Sequence, residues 1–252
     1  MRAGSAYVSP MRKHLKYALL AILGLDWLGT VAPAAVADEA PVLVELFTSQ
    51  GCSSCPPADK LLGELSQRDD LIALSLHVDY WDYLGWRDTF AQRRFTERQI
   101  AYSDAWHENV VYTPQMVIHG LRDVRRLRRD ELAAAIAAAR ETKAPVSVLI
   151  ERQGGMLKCR IEPGPEHAVG VIWIAKYTLN ETVPVGRGEN AGRTLTYHNV
   201  VTSLNRIGAW AGTATEDVAM PQPEPGEGVA IWLQAGEGGP ILTAAKIENP
   251  AE

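Results

Sequence analysis

A single C-x-x-C at the junction of an apolar strand and an amphipathic helix constrains this chain more than any other feature. The stretch from Val42 to Leu65 reads VLVELFTSQGCSSCPPADKLLGEL. Val42 to Phe47 is a short apolar run typical of a strand buried on both faces, and Ala58, Leu61, Leu62 and Leu65 recur at helical spacing. A cysteine that opens a helix faces the unpaired N–H groups and partial positive charge of the first turn, which favour its thiolate. Cys52 is therefore the expected nucleophile. Cys55 is the thiol that closes the ring or resolves a mixed disulfide. The chain has 3 cysteines, the last being Cys159, so a four-sulfur zinc site is excluded.

VELFTSQGCSSC resembles the active-site strand and turn of thioredoxin-like proteins, and the likeness continues at Thr113-Pro114, just before the apolar segment Gln115 to Ile118. In that superfamily a cis-proline precedes a strand at this point and faces the cysteine pair. The resemblance makes Pro114 its counterpart and sets Thr113 on the substrate surface. It also implies a buried carboxylate on the strand before the cysteines, accepting the proton of Cys55. Glu45 is the candidate, at an interval one residue longer than usual. More narrowly, CSSCPPAD, HVDYWDYLGW, YTPQMVIHG and GRGENAGRTLTYHNVV resemble the secreted bacterial family called domain of unknown function 1223 (DUF1223), across nearly the whole mature chain. One departure from ordinary thioredoxins bears on the chemistry. Pro56 and Pro57 lack an N–H, so the helix is expected to start at Cys55 or Pro56, and Cys52 gains less from its dipole.

The N-terminus reads as a targeting segment. Arg12, Lys13 and Lys16 precede an apolar stretch from Tyr17 to Leu28, and Ala35-Val36-Ala37 fits a small-residue cleavage site. The stretch is short for a membrane span and is broken by Asp26. The reading is a signal peptide over 1–37 and a soluble mature protein from Asp38, periplasmic or secreted, with no integral membrane segment; an uncleaved anchor is the alternative. Export matters because oxidising surroundings let Cys52–Cys55 persist as a disulfide with no catalytic duty. A net charge of −5 without a basic block argues against nucleic acid as a partner.

Downstream, Leu71 to Val78 alternates and reads as a second strand, parallel to the first through the intervening helix. In open parallel sheets the site lies beyond the carboxyl ends of the strands, which brings Tyr80, Trp81, Tyr83 and Trp86 to the rim near the cysteines. These rings, with Tyr80, Trp81 and Trp86 foremost, are either a substrate surface or the cap of a core. Asp88 or Thr89 starts a helix to about Asp104, its arginines Arg93, Arg94 and Arg98 forming a solvated face. A strand at Gln115–Ile118, a short edge strand near Val124 to Leu127 and an alanine-rich helix from Asp130 to Arg140 complete this part. From Lys143 the pattern changes to strands separated by glycine and proline turns: Val146 to Glu151, Leu157 to Ile161, Val169 to Tyr177, Val229 to Gln234 and Ile241 to Ile247. The expected fold class is an α/β thioredoxin-like domain over 38–143 followed by a smaller, mainly antiparallel β domain over 144–252.

Cys159 alternates with Leu157 and Ile161 and reads as a buried inert thiol. The run Gly186 to Arg193, followed by Thr194, Thr196, His198 and Asn199, is either a long hairpin held by side-chain bonds or a segment folded over the cysteine rim. The leading functional reading is an exported thiol–disulfide oxidoreductase acting on protein thiols or a redox partner protein, with Cys52, Cys55, Pro114 and Glu45 as catalytic residues and no cofactor beyond the cysteine pair. The alternatives are a non-enzymatic binding module with a structural Cys52–Cys55 bridge, or a copper- or zinc-handling protein that adds His77 or His119 to the sulfurs.

Overall fold

The computed structural model describes residues 40–142, 146–164 and 168–251; the expected signal peptide and the expected boundary at Ala144-Pro145 lie outside the described residues. Strand β1 (Val42–Thr48) is buried along its full length, as its apolar run requires. It feeds helix α1 (Pro56–Ser66), which leads to strand β2 (Leu71–His77), parallel to β1 in register from Val42↔Leu71 to Thr48↔His77. Helix α2 (Arg93–Ala105) precedes strand β3 (Gln115–Ile118), which pairs antiparallel with the other edge of β1. Strand β4 (Arg122–Asp123) and helix α3 (Arg129–Arg140) follow. The edge strand thus sits two residues before the expected segment, and Val124 instead closes the turn by donating its N–H to the Met116 carbonyl.

Among the described residues seven further strands follow: β5 (Val146–Gln153), β6 (Met156–Pro163), β7 (Gly170–Pro184), β8 (Thr194–Trp210), β9 (Glu216–Pro221), β10 (Glu227–Gln234) and β11 (Ile241–Asn249). Four of them join the sheet of β1 to β4 and three form a second one. The main sheet has eight strands in the order β11-β10-β7-β8-β2-β1-β3-β4, and the join is a parallel pairing of Ser75 with Val200 between β2 and β8. A separate antiparallel sheet, β5-β6-β9, covers part of it. The fold is therefore a mixed, sheet-dominated α/β architecture in which the strands on either side of residues 143–145 share one sheet.

Strand parity decides what faces what, because successive side chains on β1 point to opposite faces. Val42, Val44 and Leu46 pack with Leu61, Leu62 and Leu65 of α1 and with Leu132 and Ile136 of α3. Leu43 and Phe47 point the other way, into a core shared with Phe95 and Tyr102 of α2 and with Tyr177, Val201 and Trp232 from β7, β8 and β10. β2 alternates in sequence, and covered on both sides it is buried throughout. Cys159 lies in a third core between the two sheets, fully buried as its alternation implied. Close packing of β8 on α1 requires a glycine: a Cβ on Gly63 would stand 2.3 Å from the His198 ring.

Candidate functional site

The cysteines follow the carboxyl end of β1. Thr48 ends the strand, and a tight turn follows in which the Cys52 N–H donates to the Ser49 carbonyl and the Gly51 N–H to Ser49 Oγ. Cys52 and Cys55 form a disulfide with their Cα atoms 5.4 Å apart, within the range a disulfide spans without backbone movement. Helix α1 starts at Pro56, with Cys55 in the N-cap position. Two prolines fill the first turn and offer no N–H, so Cys52 stands outside the helix and draws no amide donor from it. Both cysteines are 0% exposed, while Ser53 and Ser54 between them are open to solvent.

The connection from β7 to β8 folds onto the turn that carries the pair. The Gly192 N–H donates to the Val185 carbonyl and the Val185 N–H to the Arg193 carbonyl, closing a tight tip over residues 185–193. From that tip Asn190, 0% exposed, donates Nδ2 to the carbonyls of Gln50 (3.0 Å) and Cys52 (2.9 Å) and accepts at Oδ1 from Arg193 (2.7 Å). Its amide group is thereby fully engaged. Glu189 Oε2 accepts the N–H of Ser53 at 3.2 Å. Trp86 lies under the tip. A Cβ on Gly186 would meet its ring at 3.1 Å, and its indole N–H donates to Gln50 Oε1. The Gly186–Asn199 segment is thus a hairpin and also a cover over the cysteines.

Beneath the disulfide lies a cluster of buried polar groups. Asp59 is four residues after Cys55 on α1 and so shares its helix face. It is 5% exposed, and its Oδ1 accepts from Thr48 Oγ1 at 2.7 Å. Burial pushes its carboxyl up to about 7, against the Thr48 hydrogen bond and the His77 ring, which lower it. His77, in register beside Thr48, holds Asp88 Oδ2 at 2.7 Å through Nδ1, and the same oxygen accepts the Gln50 N–H. Burial alone would raise the Asp88 carboxyl, but the His77 imidazole and the amides of Gln50 and Phe90 hold it below its usual value. Tyr197 of β8 stacks edge-on against His77 at 4.7 Å between ring centroids, and neither its hydroxyl nor His77 Nε2 has a hydrogen-bond partner among the described residues.

Glu45 takes no part in this cluster. It shares the β1 face of Leu43 and Phe47, opposite to α1. There its carboxylate accepts from Arg98 Nε (2.5 Å), Arg98 Nη2 (2.9 Å) and the Tyr102 hydroxyl (2.5 Å). The side chains of Arg98 and Glu45 are each 1% exposed, so Arg98 does not belong to a solvated face. Its guanidinium also stands 5.1 Å from the ring centroids of Trp173 and Trp232. The carboxyl acid on the cysteine face is Asp59.

The Thr113–Pro114 bond is cis, and β3 starts next at Gln115, opposite Phe47. By register Pro114 therefore flanks Thr48 at the cysteine end of β1. Trp81 ties this corner together: its indole N–H donates to Thr113 Oγ1 at 2.7 Å, and its Cβ would stand 3.1 Å from a Cβ on Gly51. Tyr80 and Trp81 are half-buried against the core shared with α2, Trp86 is half-buried under the tip, and Tyr83 is 80% exposed. Asp88 is not a helix cap, since α2 begins five residues later. His119 sits at the far end of β1, donating its backbone N–H to the Leu43 carbonyl and accepting the Leu43 N–H at Nδ1. About 17 Å of strand separates Leu43 from Thr48, so His77 joins the cysteine end and His119 does not.

A family described as protein of unknown function (DUF1223) matches the chain over residues 43–234. The crystal structure of protein AGR_C_4864 from Agrobacterium tumefaciens is similar, with a TM-score of 0.71 and 34% identity over 84% of this chain and 96% of that one. A superoxide reductase from Nanoarchaeum equitans is similar over 42% of this chain and 93% of its own, at 15% identity and a TM-score of 0.21. Likeness at that level carries no argument. No curated protein matches the chain.

Proposed function

The chain belongs to the DUF1223 family, whose function is unknown, and we propose that it carries out thiol–disulfide exchange at Cys52–Cys55 on a thioredoxin-like half built from β1 to β4 and α1 to α3. The observation that carries this reading is a disulfide at the carboxyl end of β1, with a buried carboxyl acid one helical turn after its second sulfur. The strand order β2-β1-β3-β4, with one parallel and two antiparallel pairings, supports the thioredoxin-like assignment. The proposal includes export, on the strength of the basic-then-apolar segment and Ala35-Val36-Ala37.

In the forward direction a partner thiolate attacks Cys52 Sγ, the Cys52–Cys55 bond breaks, and Cys55 leaves as a thiolate. The Asp59 carboxyl gives that thiolate its proton and becomes a carboxylate. In reverse, Asp59 takes the proton back and Cys55 attacks the mixed disulfide, releasing the partner. An acid titrating near neutrality suits both directions. Thr48 orients the carboxyl, and the Asp88–His77 pair fixes the backbone of Gln50 just before the turn.

The rival reading is a static bridge, favoured by the complete burial of both sulfurs. Replacing Cys55 with serine separates the two. Exchange predicts that Cys55→Ser protein accumulates mixed disulfides through Cys52 in its own compartment, because the Cys52 thiolate still attacks a partner disulfide, expelling one partner thiolate, and the resolving thiol is lost. A static bridge predicts equal loss of stability from Cys52→Ser and Cys55→Ser, with nothing trapped by either.

A further inference from the structure

We infer that the β7–β8 tip occupies the position of a polypeptide partner at the disulfide, and that the Asn190 side chain holds it there. This rests on the exchange reading, and it answers a problem that reading leaves open: no thiolate reaches Cys52 while the cover is closed.

The way the tip is held identifies what displaces it. Asn190 presents a carboxamide, the same chemical group as a peptide unit, and uses it as a peptide would, donating to the Gln50 and Cys52 carbonyls and accepting from Arg193. Glu189 adds the acceptor for the Ser53 N–H. When the tip lifts, the Gln50 carbonyl and the Ser53 N–H lose these partners, and the Cys52 carbonyl keeps only the Cys55 N–H. An extended polypeptide carrying a cysteine brings backbone N–H and C=O groups to the same atoms. A small thiol brings none. The tip is also built to move without unfolding the sheets. Gly188 and Gly192 adopt φ of +77° and +78°, which other L residues rarely take, and Gly186, Arg187, Glu189, Ala191, Gly192 and Arg193 are exposed. Asn190 is the buried residue among them, flanked by glycines that free the backbone on either side. Cys52–Cys55 is therefore guarded against small thiols and opened by competition from a peptide.

The test compares the oxidised full chain with its Asn190→Asp and Asn190→Ala variants. Aspartate keeps the size of the side chain, and its acceptance from Arg193, but sets an acceptor against two carbonyls. Reduction of the disulfide by a phosphine, followed by thiol counting, should accelerate about thirtyfold, the change expected when two hydrogen bonds of ordinary net strength are lost. Opening of the tip alone is insensitive to urea up to about 1 M, whereas reduction through global unfolding rises steeply over that range. A variant reduced at the wild-type rate, or one whose acceleration climbs with urea, overturns the cover. In a second arm a cysteine peptide is offered to the wild-type disulfide and the mixed disulfide is counted after acid quenching: its thiolate bonds to Cys52 Sγ and Cys55 is released as a thiolate. That peptide should react faster than its analogue N-methylated at the amides flanking the cysteine, and equal rates overturn the polypeptide partner. The phosphine reads access and needs no physiological partner, so these outcomes are independent of whether Cys55→Ser traps one.

Discussion

Replacing Asp59 with asparagine separates stability from chemistry at one atom. The carboxyl is buried and titrates at about 7 in the folded chain against 3.8 in the open one. An acid whose folded pKa is raised keeps its proton in the native state where the unfolded state has lost it. Between pH 3.8 and 7 the native state therefore binds more protons, and stability falls as the pH rises through that window. A shift of about 3 units corresponds to about 4 kcal/mol, fully felt above pH 7 and absent below pH 4. Asparagine cannot ionise and keeps an oxygen to accept from Thr48. Relative to wild type, Asp59→Asn should gain about 4 kcal/mol on going from pH 4 to pH 8. His119 tilts the curve the other way: burial lowers its pKa to about 4, so it contributes stability above its ordinary 6.5 that is lost as the pH falls towards 4. That slope is common to both proteins and cancels in the difference. Urea unfolding followed by tryptophan fluorescence at several pH values between 4 and 8 gives the comparison. The same variant should resolve a mixed disulfide about 100-fold more slowly near pH 7, the usual scale for loss of a positioned acid–base group. A stability difference that is flat with pH would refute the burial argument, and an unchanged resolution rate would remove Asp59 from the reaction.

Glu45→Gln should lower stability by about 3–5 kcal/mol, because it leaves the buried Arg98 guanidinium without its counter-charge. It should leave the rate of exchange at Cys52–Cys55 unchanged; urea unfolding read beside an exchange assay checks both, and slower exchange at normal stability would restore Glu45 as the proton acceptor. Cys159, pushed up to about 11 by burial, should resist alkylation in the folded chain while it labels at the ordinary rate in urea. Rapid labelling of the native chain, counted by mass, would contradict the register of β6.

The parts of the fold that were legible in the sequence are those whose signal is local. VLVELF, the C-x-x-C, the Leu61-Leu62-Leu65 stripe and the Thr-Pro step before QMVI each lie within one turn or strand, and each sits where its periodicity indicates. β8 is not among the five expected strands, because its Thr194, Thr196, His198 and Asn199 read as a hairpin held by side-chain bonds or a segment over the rim. The signal was the spacing of Leu195, Tyr197 and Asn199, alternate positions that are all buried. Glu45 faces away from α1 for a reason of parity. β1 is apolar on both faces, so nothing within it tells which set of side chains meets α1, and the answer depends on Arg98, 53 residues away. Asp59 looked like an ordinary acidic residue in a first turn, although its spacing of three to Leu62 already set it at the margin of the buried stripe.

Long range is also what turns the site from an open rim into a closed one. Nothing near Cys52 in sequence indicates burial, since the turn is made of serines and glycine. The covering residue lies 138 positions on, in a glycine-rich run with no phosphate-loop or dinucleotide signature. A segment that conserves nothing of those chemistries, and spends its one buried side chain on two backbone carbonyls beside a disulfide, makes sense as a substitute for a peptide. The large β portion then has a function that a lone β1-to-α3 half would lack. By joining β8 to β2 it extends the sheet and carries the tip to the carboxyl end of β1, so the disulfide and its cover are fixed in a single framework and only the tip need move.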